Sequence, residues 1–248
     1  MGAWWKVAIA GLIVVARLEV PTIDVHLIGD STMADRADPA NPEHGWGQLL
    51  SKFFDQLVAV HNHAVNGRST KSFIDEGKWS TVLRDLKAGD YVFIEFGHND
   101  EKVEDTTRYA AATTDYRRNL ERFVAETRSK GATPILLTPI VRRKFNANGE
   151  LENTHGDYPR VVRELASTLR VPLIDLEAST RRLITAAGPE ESKRLYVWLA
   201  AGVSSFFPEG RQDDTHLSAQ GATEVARLVA GALTTTVPNL GKHVRDVK

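Results

Sequence analysis

Four short polar blocks follow one another along the chain, and together they contain the residue types that acyl transfer through a serine requires. The blocks are Gly29-Asp30-Ser31-Thr32, Asn66-Gly67-Arg68-Ser69, Gly97-His98-Asn99-Asp100 and Asp213-Asp214-Thr215-His216. A serine hydroxyl is a poor nucleophile until a neighbouring base removes its proton. Each block is a weak signal alone, so the chemistry depends on whether the fold brings the four together.

The last block has the spacing of a base and the carboxylate that orients it. A tight turn between Asp213 and His216 would place the carboxylate against one imidazole nitrogen and leave the other nitrogen for Ser31. Asp214 is the competing carboxylate, although the spacing favours Asp213. In isolation Ser31 is explained more simply as the N-cap of a helix, a position that serine prefers.

Gly67 and Asn99 suit the stabilisation of a developing negative charge. The backbone N–H groups of Ser31 and Gly67 and the side-chain amide of Asn99 could all point at the oxygen of a tetrahedral intermediate. The alternative to an oxyanion role is an ordinary turn at each place, since Asn-Gly is a strong turn dipeptide and Asn99-Asp100 suits the end of a strand. Of the two nearby histidines, His98 is a candidate for facing the substrate and His155 for bordering it. Neither has a carboxylate at a fixed spacing, which favours surface positions for both.

Strand-like and helix-like segments alternate from residue 23 onward, and this pattern indicates how the blocks would be positioned. The predicted strands are Ile23–Ile28, Leu57–Asn62, Tyr91–Phe96, Pro134–Thr138 and Val171–Leu176. The predicted helices are Trp46–Phe54, Ser69–Leu86 (one or two helices), Asp115–Lys130, Tyr158–Leu169 and Ser218–Leu233. Short, continuous apolar strands are typical of a parallel sheet covered by helices on both faces. The sequence therefore predicts an α/β fold with five parallel strands.

Three of the four blocks follow a predicted strand, and the fourth directly precedes the last predicted helix. Ser31 follows the first strand, Gly67 the second and Asn99 the third. In open parallel sheets the ligand crevice lies outside the carboxyl ends of the strands. A shared edge of one sheet is the reason to treat the four blocks as one site.

Composition excludes several other classes of function. The 248 residues carry a net charge of -1, without the basic excess that nucleic-acid binding requires, and they include no cysteine for thiol chemistry. The chain lacks G-x-S-x-G, a P-loop, H-E-x-x-H and a G-x-G-x-x-G after the first strand. Carboxylates and histidines are too sparse for a two-metal phosphoesterase that would use Asp30 and His216.

Residues 1–20 stand apart from this pattern. Lys6 precedes an unbroken apolar run, Val7–Ala16, which has the outline of a secretory signal or an anchor but is short for a membrane span. No Ala-x-Ala cleavage site is evident, and the alternative is a strand or helix added to the fold. We therefore expect an apolar extension over residues 1–20 and a single domain over residues 21–248. An extracytoplasmic location is favoured, with a cytoplasmic one as the alternative, and no membrane partner is expected beyond the N-terminal anchor.

Five stretches resemble the SGNH (GDSL-type) hydrolase superfamily and, within it, the rhamnogalacturonan acetylesterases of carbohydrate esterase family twelve. They are GDSTMAD, NGRSTKSF, EFGHND, THGDYP and FPEGRQDDTHLSAQGA. The resemblance runs from Ile23 onward, and it implies a three-layer α/β/α sandwich of flavodoxin-like type. It further implies an acetyl-enzyme on a serine nucleophile, an acetylated pectin polysaccharide as substrate, and no metal or organic cofactor. The residue roles that it implies are those of Ser31, Gly67, Asn99, His216 and Asp213. The apolar extension and the lack of cysteine depart from the pattern.

Several alternatives remain beside a rhamnogalacturonan acetylesterase. The same fold could act on acetylated xylan, on oligosaccharides after uptake, or on lipid and aryl esters, and a sugar-binding module without activity is a rival from another class. The polar loops Ala34–His44 and Arg142–Thr154 favour a hydrated sugar over a lipid. For Trp46, Trp79 and Trp198, core packing is expected rather than stacking on sugar rings. The sequence does not indicate an oligomeric state.

Overall fold

Short apolar runs form a parallel sheet in the computed structural model, which describes Met1 and residues 23–247. The strands are β1 (Ile23–Gly29), β2 (Val58–Asn62), β3 (Tyr91–Glu95), β4 (Thr133–Leu137) and β5 (Leu173–Ile174). They lie in the order β2-β1-β3-β4-β5, and every pairing is parallel. Each lies within or overlaps a predicted strand, so the α/β prediction is confirmed. The expected extension over residues 1–20 lies outside the described residues.

Helices cover both faces of the sheet. They are α1 (Trp46–Leu50), α2 (Thr70–Asp75), α3 (Lys78–Asp85), α4 (Arg117–Ser129), α5 (Tyr158–Leu169), α6 (Leu176–Glu191), α7 (Ala219–Thr236) and α8 (Pro238–Gly241). Helices α1, α6, α7 and α8 pack on the face that Val25 and Leu27 of β1 present, and α2–α5 pack on the opposite face. Trp46 and Trp79 are buried, one in each layer, as expected for core residues. None of the helices among the described residues combines the length and apolar character of a membrane span.

Helices α6 and α8 and a β-hairpin were not predicted from the sequence. Helix α6 follows β5 directly, and a two-stranded antiparallel hairpin joins β6 (Tyr196–Leu199) to β7 (Arg211–Leu217). β7 carries the fourth polar block, and α7 begins immediately after it. The hairpin therefore delivers Asp213 and His216 to the sheet edge.

The strand order fixes where a site can form. The chain passes from β1 to β2 on one side and then returns to place β3 on the other side of β1. The gap between β1 and β3 is a topological switch point, where open α/β sheets bind their ligands. Ser31 follows β1 and Asn99 follows β3, so both lie at this gap.

Candidate active site

Ser31 lies in a tight turn directly after β1. The Ala34 N–H donates to the Asp30 carbonyl oxygen at 3.0 Å. The Asp30 Oδ1 accepts from the N–H and the hydroxyl of Thr32, at 2.9 and 2.8 Å. No helix begins at this turn, since the next helix is α1, so the interpretation of Ser31 as an N-cap is wrong. The turn holds a serine hydroxyl at the carboxyl edge of the sheet.

A continuous hydrogen-bonded chain joins Ser31 to Asp213 through His216. The His216 Nε2 lies 3.0 Å from the Ser31 Oγ, and the Nδ1 lies 2.9 Å from the Asp213 Oδ2. The Asp213 Oδ1 accepts from the N–H groups of Thr215 and His216, at 2.8 and 2.9 Å. These bonds hold Asp213 against His216 within β7, where the pairing with β6 shifts register, so the expected tight turn is a bulge in a strand. With the Nδ1 proton donated to the carboxylate, the Nε2 is free to accept the hydroxyl proton.

The surroundings of Asp213 keep this carboxylate ionised. Burial alone would raise its pKa, but hydrogen bonds from the His216 ring and backbone outweigh burial and hold the pKa well below its ordinary value. The Arg211 guanidinium contributes in the same direction, with Nη2 at 2.7 Å from the Asp213 Oδ2. An ionised carboxylate can both orient the imidazole and stabilise the imidazolium that forms when the base takes a proton.

Asp214 faces a different set of partners. Its Oδ1 accepts from the Arg143 Nη1 at 2.6 Å and from the Trp198 Nε1 at 2.9 Å. The Arg143 guanidinium also lies 4.6 Å from the centre of the Trp198 ring. The two neighbouring aspartates therefore have different partners: Asp213 bonds to the catalytic histidine, and Asp214 bonds to Arg143 outside the cleft.

The backbone N–H groups of Ser31 and Gly67 have no hydrogen-bond acceptor among residues 23–247. Gly67 adopts φ +74°, a left-handed conformation that glycine reaches without steric cost. Buried backbone donors are nearly always paired. Two free N–H groups beside the cleft are therefore suited to hold an oxyanion.

The amide of Asn99 is oriented by its neighbours. Its Oδ1 accepts from the Lys102 Nζ at 3.1 Å and from the Arg108 Nη1 at 3.3 Å, while its Nδ2 donates to the Arg68 carbonyl oxygen at 3.1 Å. Because both cations require an acceptor, Nδ2 has to be the atom on the other side of the amide. Nδ2 carries two hydrogens, so one remains available for the cleft.

A cleft of about 260 Å³ opens over these groups. It is lined by Ser31, His98, Asn99, Lys102, Arg142, Asp213, Thr215 and His216. The expectation that His98 and His155 lie on the surface is wrong, because each is only 3% exposed. His98 lines the cleft, whereas His155 lies behind it, with Nδ1 2.9 Å from the Glu101 Oε2 and Nε2 2.8 Å from the Ile140 carbonyl oxygen. His155 therefore supports the wall of the cleft and does not line it.

Comparison with known proteins supplies the family. The model of the GDSL-like Lipase/Acylhydrolase family matches residues 27–223, a span that includes all four polar blocks. This chain belongs to the GDSL-like lipase/acylhydrolase family. The resemblance to the SGNH (GDSL-type) hydrolases is thereby confirmed, and so is the assignment to ester hydrolases.

Relatives of this acylhydrolase extend along nearly its whole length. It is 44% identical to the rhamnogalacturonan acetylesterase RhgT of Bacillus subtilis, over 90% of this chain and 93% of that protein. It is 34% identical to the probable rhamnogalacturonan acetylesterase YesY of the same organism, over 83% and 90%. The crystal structure of Bacillus subtilis YxiM superposes with a TM-score of 0.73 at 26% identity, over 87% of this chain and 57% of that one.

Arg36 is a site residue of this acylhydrolase that sequence reasoning missed. It is buried, and its guanidinium donates to the Ser31 carbonyl oxygen at 3.0 Å and to the Asn66 Oδ1 at 2.8 Å. It also lies 3.4 Å from the Glu43 carboxylate. Arg36 therefore ties the serine turn to the loop that carries Gly67. A buried arginine has no local sequence signal, because its partners are distant in the chain.

Glu43 brings a further carboxylate to the site. Ligand atoms of Glu43, Asp213 and His216 lie within 4.8 Å of one another, the spacing of a metal site. The Asp213 and His216 members already bond to each other, and His216 also bonds to Ser31. In the described residues this group is therefore accounted for by the serine–histidine–aspartate chain.

A layer of buried acids in this acylhydrolase lies beneath the serine turn. Burial raises the pKa of Glu95 to about 8, with the charge of Asp30 adding to the effect. Asp100 has a pKa of about 8, with burial as the main cause. The Glu95 Oε2 accepts from the Trp46 Nε1 at 2.7 Å, and the Asp100 Oδ1 accepts from the Thr70 N–H at 2.9 Å. Through these hydrogen bonds the carboxyl groups stabilise the loops that carry Ser31 and Asn99.

Proposed function

We propose that this acylhydrolase is a serine esterase that removes O-acetyl groups from rhamnogalacturonan. The observation that carries the reaction type is the Ser31–His216–Asp213 hydrogen-bonded chain, in which the His216 Nε2 lies 3.0 Å from the Ser31 Oγ and the Nδ1 lies 2.9 Å from the Asp213 Oδ2. Support for the substrate comes from RhgT and YesY, which carry rhamnogalacturonan acetylesterase names and match this chain over 90% and 83% of its length.

In the first half-reaction the Ser31 Oγ attacks the acetyl carbonyl carbon, and its proton passes to the His216 Nε2. The carbonyl oxygen becomes an oxyanion that the N–H groups of Ser31 and Gly67 and the Asn99 amide can hold. When the tetrahedral intermediate collapses, the bond from carbon to the sugar oxygen breaks. The imidazolium returns its proton to that oxygen, which leaves as a free hydroxyl and an acetyl-Ser31.

In the second half-reaction a water molecule replaces the sugar. The His216 Nε2 takes a proton from the water, and the resulting hydroxide attacks the acetyl carbon. The bond from carbon to the Ser31 Oγ breaks, and the serine oxygen recovers its proton from the imidazolium. Acetate leaves, and every residue returns to its starting state.

The character of the cleft supports a hydrated substrate over a lipid. Its lining is polar and charged, which does not suit a long acyl chain. A sugar-binding module without activity would have no need of an ionised aspartate behind a histidine that contacts a serine. Acetylated xylan and oligosaccharides remain the alternative substrates.

Acetate release is the test of this proposal. Native protein and Ser31→Ala are each incubated with acetylated rhamnogalacturonan, acetylated xylan and a long-chain aryl ester. We expect fastest release from rhamnogalacturonan and its loss in the variant, by about 10³-fold or more. Turnover of the long-chain ester alone would reject a carbohydrate substrate, and activity that survives the substitution would reject Ser31 as the nucleophile.

An extracytoplasmic location is a separate proposal. Its support is the apolar run Val7–Ala16 after Lys6. Fractionation of cells that express the full chain or a chain without residues 1–20 tests it. We expect activity outside the cytoplasm for the full chain only, and equal retention inside would contradict the proposal.

A further inference from the structure

Positive charge is concentrated on the oxyanion side of the cleft, although the chain as a whole has a net charge of -1. Lys102 and Arg108 both donate to the Asn99 Oδ1, and Lys102 and Arg142 line the cleft with Ser31. Cations this close together repel one another. Each is stabilised either by a carboxylate of the protein or by an anion that binds in the cleft.

Internal carboxylates neutralise two of these three cations. Arg108 pairs with Asp105, and Arg142 pairs with Glu101. Lys102 has no carboxylate within 4.0 Å among the described residues, and its neutral partner is the amide of Asn99. Burial lowers the pKa of Lys102, and the charges of Arg108 and Arg142 lower it further. An anion beside Lys102 would relieve this repulsion.

A second cavity lies beside Gly67 and Arg108. It has a volume of about 570 Å³ and is lined by Gly67, Arg68, Lys71, Ser72, Asp75, Glu76, Thr106, Thr107 and Arg108. Gly67 offers its N–H to the oxyanion position, and the Arg108 Nη1 lies 3.7 Å from where a Cβ of Gly67 would stand. Gly67 therefore belongs both to this cavity and to the oxyanion position, so the cavity is placed to take a part of the polysaccharide beyond the reacting ester.

This cavity also carries a positive charge that no carboxylate pairs with among the described residues. Glu76 is engaged by Arg68 and Lys78, at 3.0 and 3.4 Å, and Asp75 is exposed on the solvent side. Lys71 has no carboxylate partner among residues 23–247, and its Nζ donates to the Thr106 carbonyl oxygen at 2.5 Å. The cavity thus offers a second uncompensated ammonium group.

We propose that Lys102, with Arg108 and Lys71 beyond it, forms a subsite that binds a uronate carboxylate of the acetylated polysaccharide. This inference rests on the proposed function, because the galacturonate units of rhamnogalacturonan carry such carboxylates. A carboxylate bound by an ammonium group is a charge-assisted contact, stronger than a neutral hydrogen bond. The subsite would select an acidic polysaccharide over a neutral one such as xylan.

The experiment compares one substrate in two charge states. Acetate release is measured from acetylated rhamnogalacturonan oligosaccharides with free carboxyl groups and from the same material with its carboxyl groups converted to methyl esters. The proteins are native enzyme, Lys102→Met, Lys102→Arg and the control Lys87→Met. Lys87 is exposed in the loop that enters β3, at the opposite edge of the sheet.

The readout is kcat/KM for the acid form divided by kcat/KM for the ester form. We expect this ratio to be about 10 in native enzyme, to fall close to 1 in Lys102→Met, mainly through KM, and to recover in Lys102→Arg. Lys87→Met should keep the native ratio. Added salt should raise KM for the acid form only.

Two failures are distinguishable. If native enzyme releases acetate from both forms with a ratio near 1, or if Lys102→Met loses the same factor on both, Lys102 only positions Asn99 and the subsite is overturned. The proposed function would stand in either case. If native enzyme releases acetate from neither form, the proposed function is overturned and the subsite with it.

Discussion

Asp213 and Asp214 are adjacent in sequence, yet the structure gives only one of them to His216. Asp213 lies 2.9 Å from the His216 Nδ1, whereas Asp214 bonds to Arg143 and Trp198. At the residue scale, this difference between Asp213 and Asp214 provides a direct test of which carboxylate orients His216. The three-residue spacing favours Asp213 from the sequence alone, because a tight turn brings positions three apart into contact.

Replacing each aspartate in turn tests the division. Asp213→Asn should lower kcat on para-nitrophenyl acetate by about 10⁴-fold, because the amide cannot hold the imidazole in the required tautomer. Asp214→Asn should lower kcat by less than about tenfold and mainly reduce stability, since the Arg143 pair is lost. An equal loss of kcat in the two variants would contradict the assignment.

Arg36 does not line the cleft, so we expect it to position the serine turn and not to contact substrate. In Arg36→Lys the charge remains, but one ammonium group cannot reach the Ser31 carbonyl oxygen and the Asn66 amide together. We expect kcat to fall by about 10- to 100-fold with KM within about threefold, because the serine turn and the Gly67 loop lose their common support. The control is Arg84→Lys, an exposed arginine. A loss confined to KM would contradict a positioning role.

Some site residues can be recognised from the short sequence around them, and others cannot. Ser31, Gly67, Asn99 and His216 could be proposed from short blocks at strand ends. The burial of His98 and His155 could not, because it depends on Glu101, Arg142 and the β4 loop packing around them. Residues whose partners are distant in sequence leave no pattern that a single chain reveals.

At the element scale, the predictable pieces are those with a hydrophobic period. The sheet strands are continuous apolar runs, and α4 and α5 have clear amphipathic faces. β7 reads RQDDTHL, which has no apolar alternation, and it is a strand only because β6 pairs with it. The element that carries Asp213 and His216 was therefore among those that sequence patterns could not predict.

Two glycines of α7 provide a matched test of how the hairpin is held. A Cβ on Gly221 would lie 1.8 Å from the Leu195 carbonyl oxygen, whereas a Cβ on Gly231 would meet no atom within 4 Å. Gly221→Ala should lower the free energy of unfolding by about 1–3 kcal/mol and reduce kcat, because α7 is pushed away from the hairpin. Gly231→Ala should raise that free energy by about 0.5–1 kcal/mol.

Chemical denaturation and esterase assays on both glycine variants measure these effects. Loss of stability in Gly231→Ala equal to that in Gly221→Ala would show that helix packing against Leu195 is not the cause. If Gly221→Ala is destabilised but keeps its kcat, the packing of α7 against the hairpin does not affect the geometry of the active site.

At the scale of the whole molecule, the fold class follows from the alternation of strands and helices, but the strand order does not. Parallel pairings join segments far apart in the chain, so a local pattern cannot show that β1 lies between β2 and β3. The shared edge was predictable because all parallel strands end on the same side. The position of the switch point, which places Ser31 beside Asn99, required the structure.

Three histidines at the β1–β2 edge predict how stability changes with pH. Burial lowers the pKa of His63 from 6.5 to about 4, and the charges of His26 and His61 add to the effect. Because the unfolded chain then binds protons more readily, the free energy of unfolding falls as the pH drops from 6.5 to 4 and is unaffected by His63 above that range. Glu95 contributes with the opposite sign, since its raised pKa favours the folded state as the pH falls from 8 to 4.5.

The comparison of native protein with His63→Gln isolates the histidine. Between about pH 7 and pH 4.5, the variant should lose about 1 kcal/mol less stability than native protein, a value reduced because the ring is partly open to solvent. Denaturant titrations at the two pH values give the difference. Equal losses would contradict a buried, neutral His63.

In the proposed mechanism Ser31 carries the acetyl group during turnover, and trapping this acetyl-enzyme is the decisive experiment. Native enzyme is mixed with para-nitrophenyl acetate, quenched in acid within milliseconds, digested and examined by mass spectrometry. We expect an acetyl group on the peptide that contains Ser31, formed in a burst and absent from Ser31→Ala. Turnover without an acetylated peptide, or an acetyl group on another residue, would contradict it.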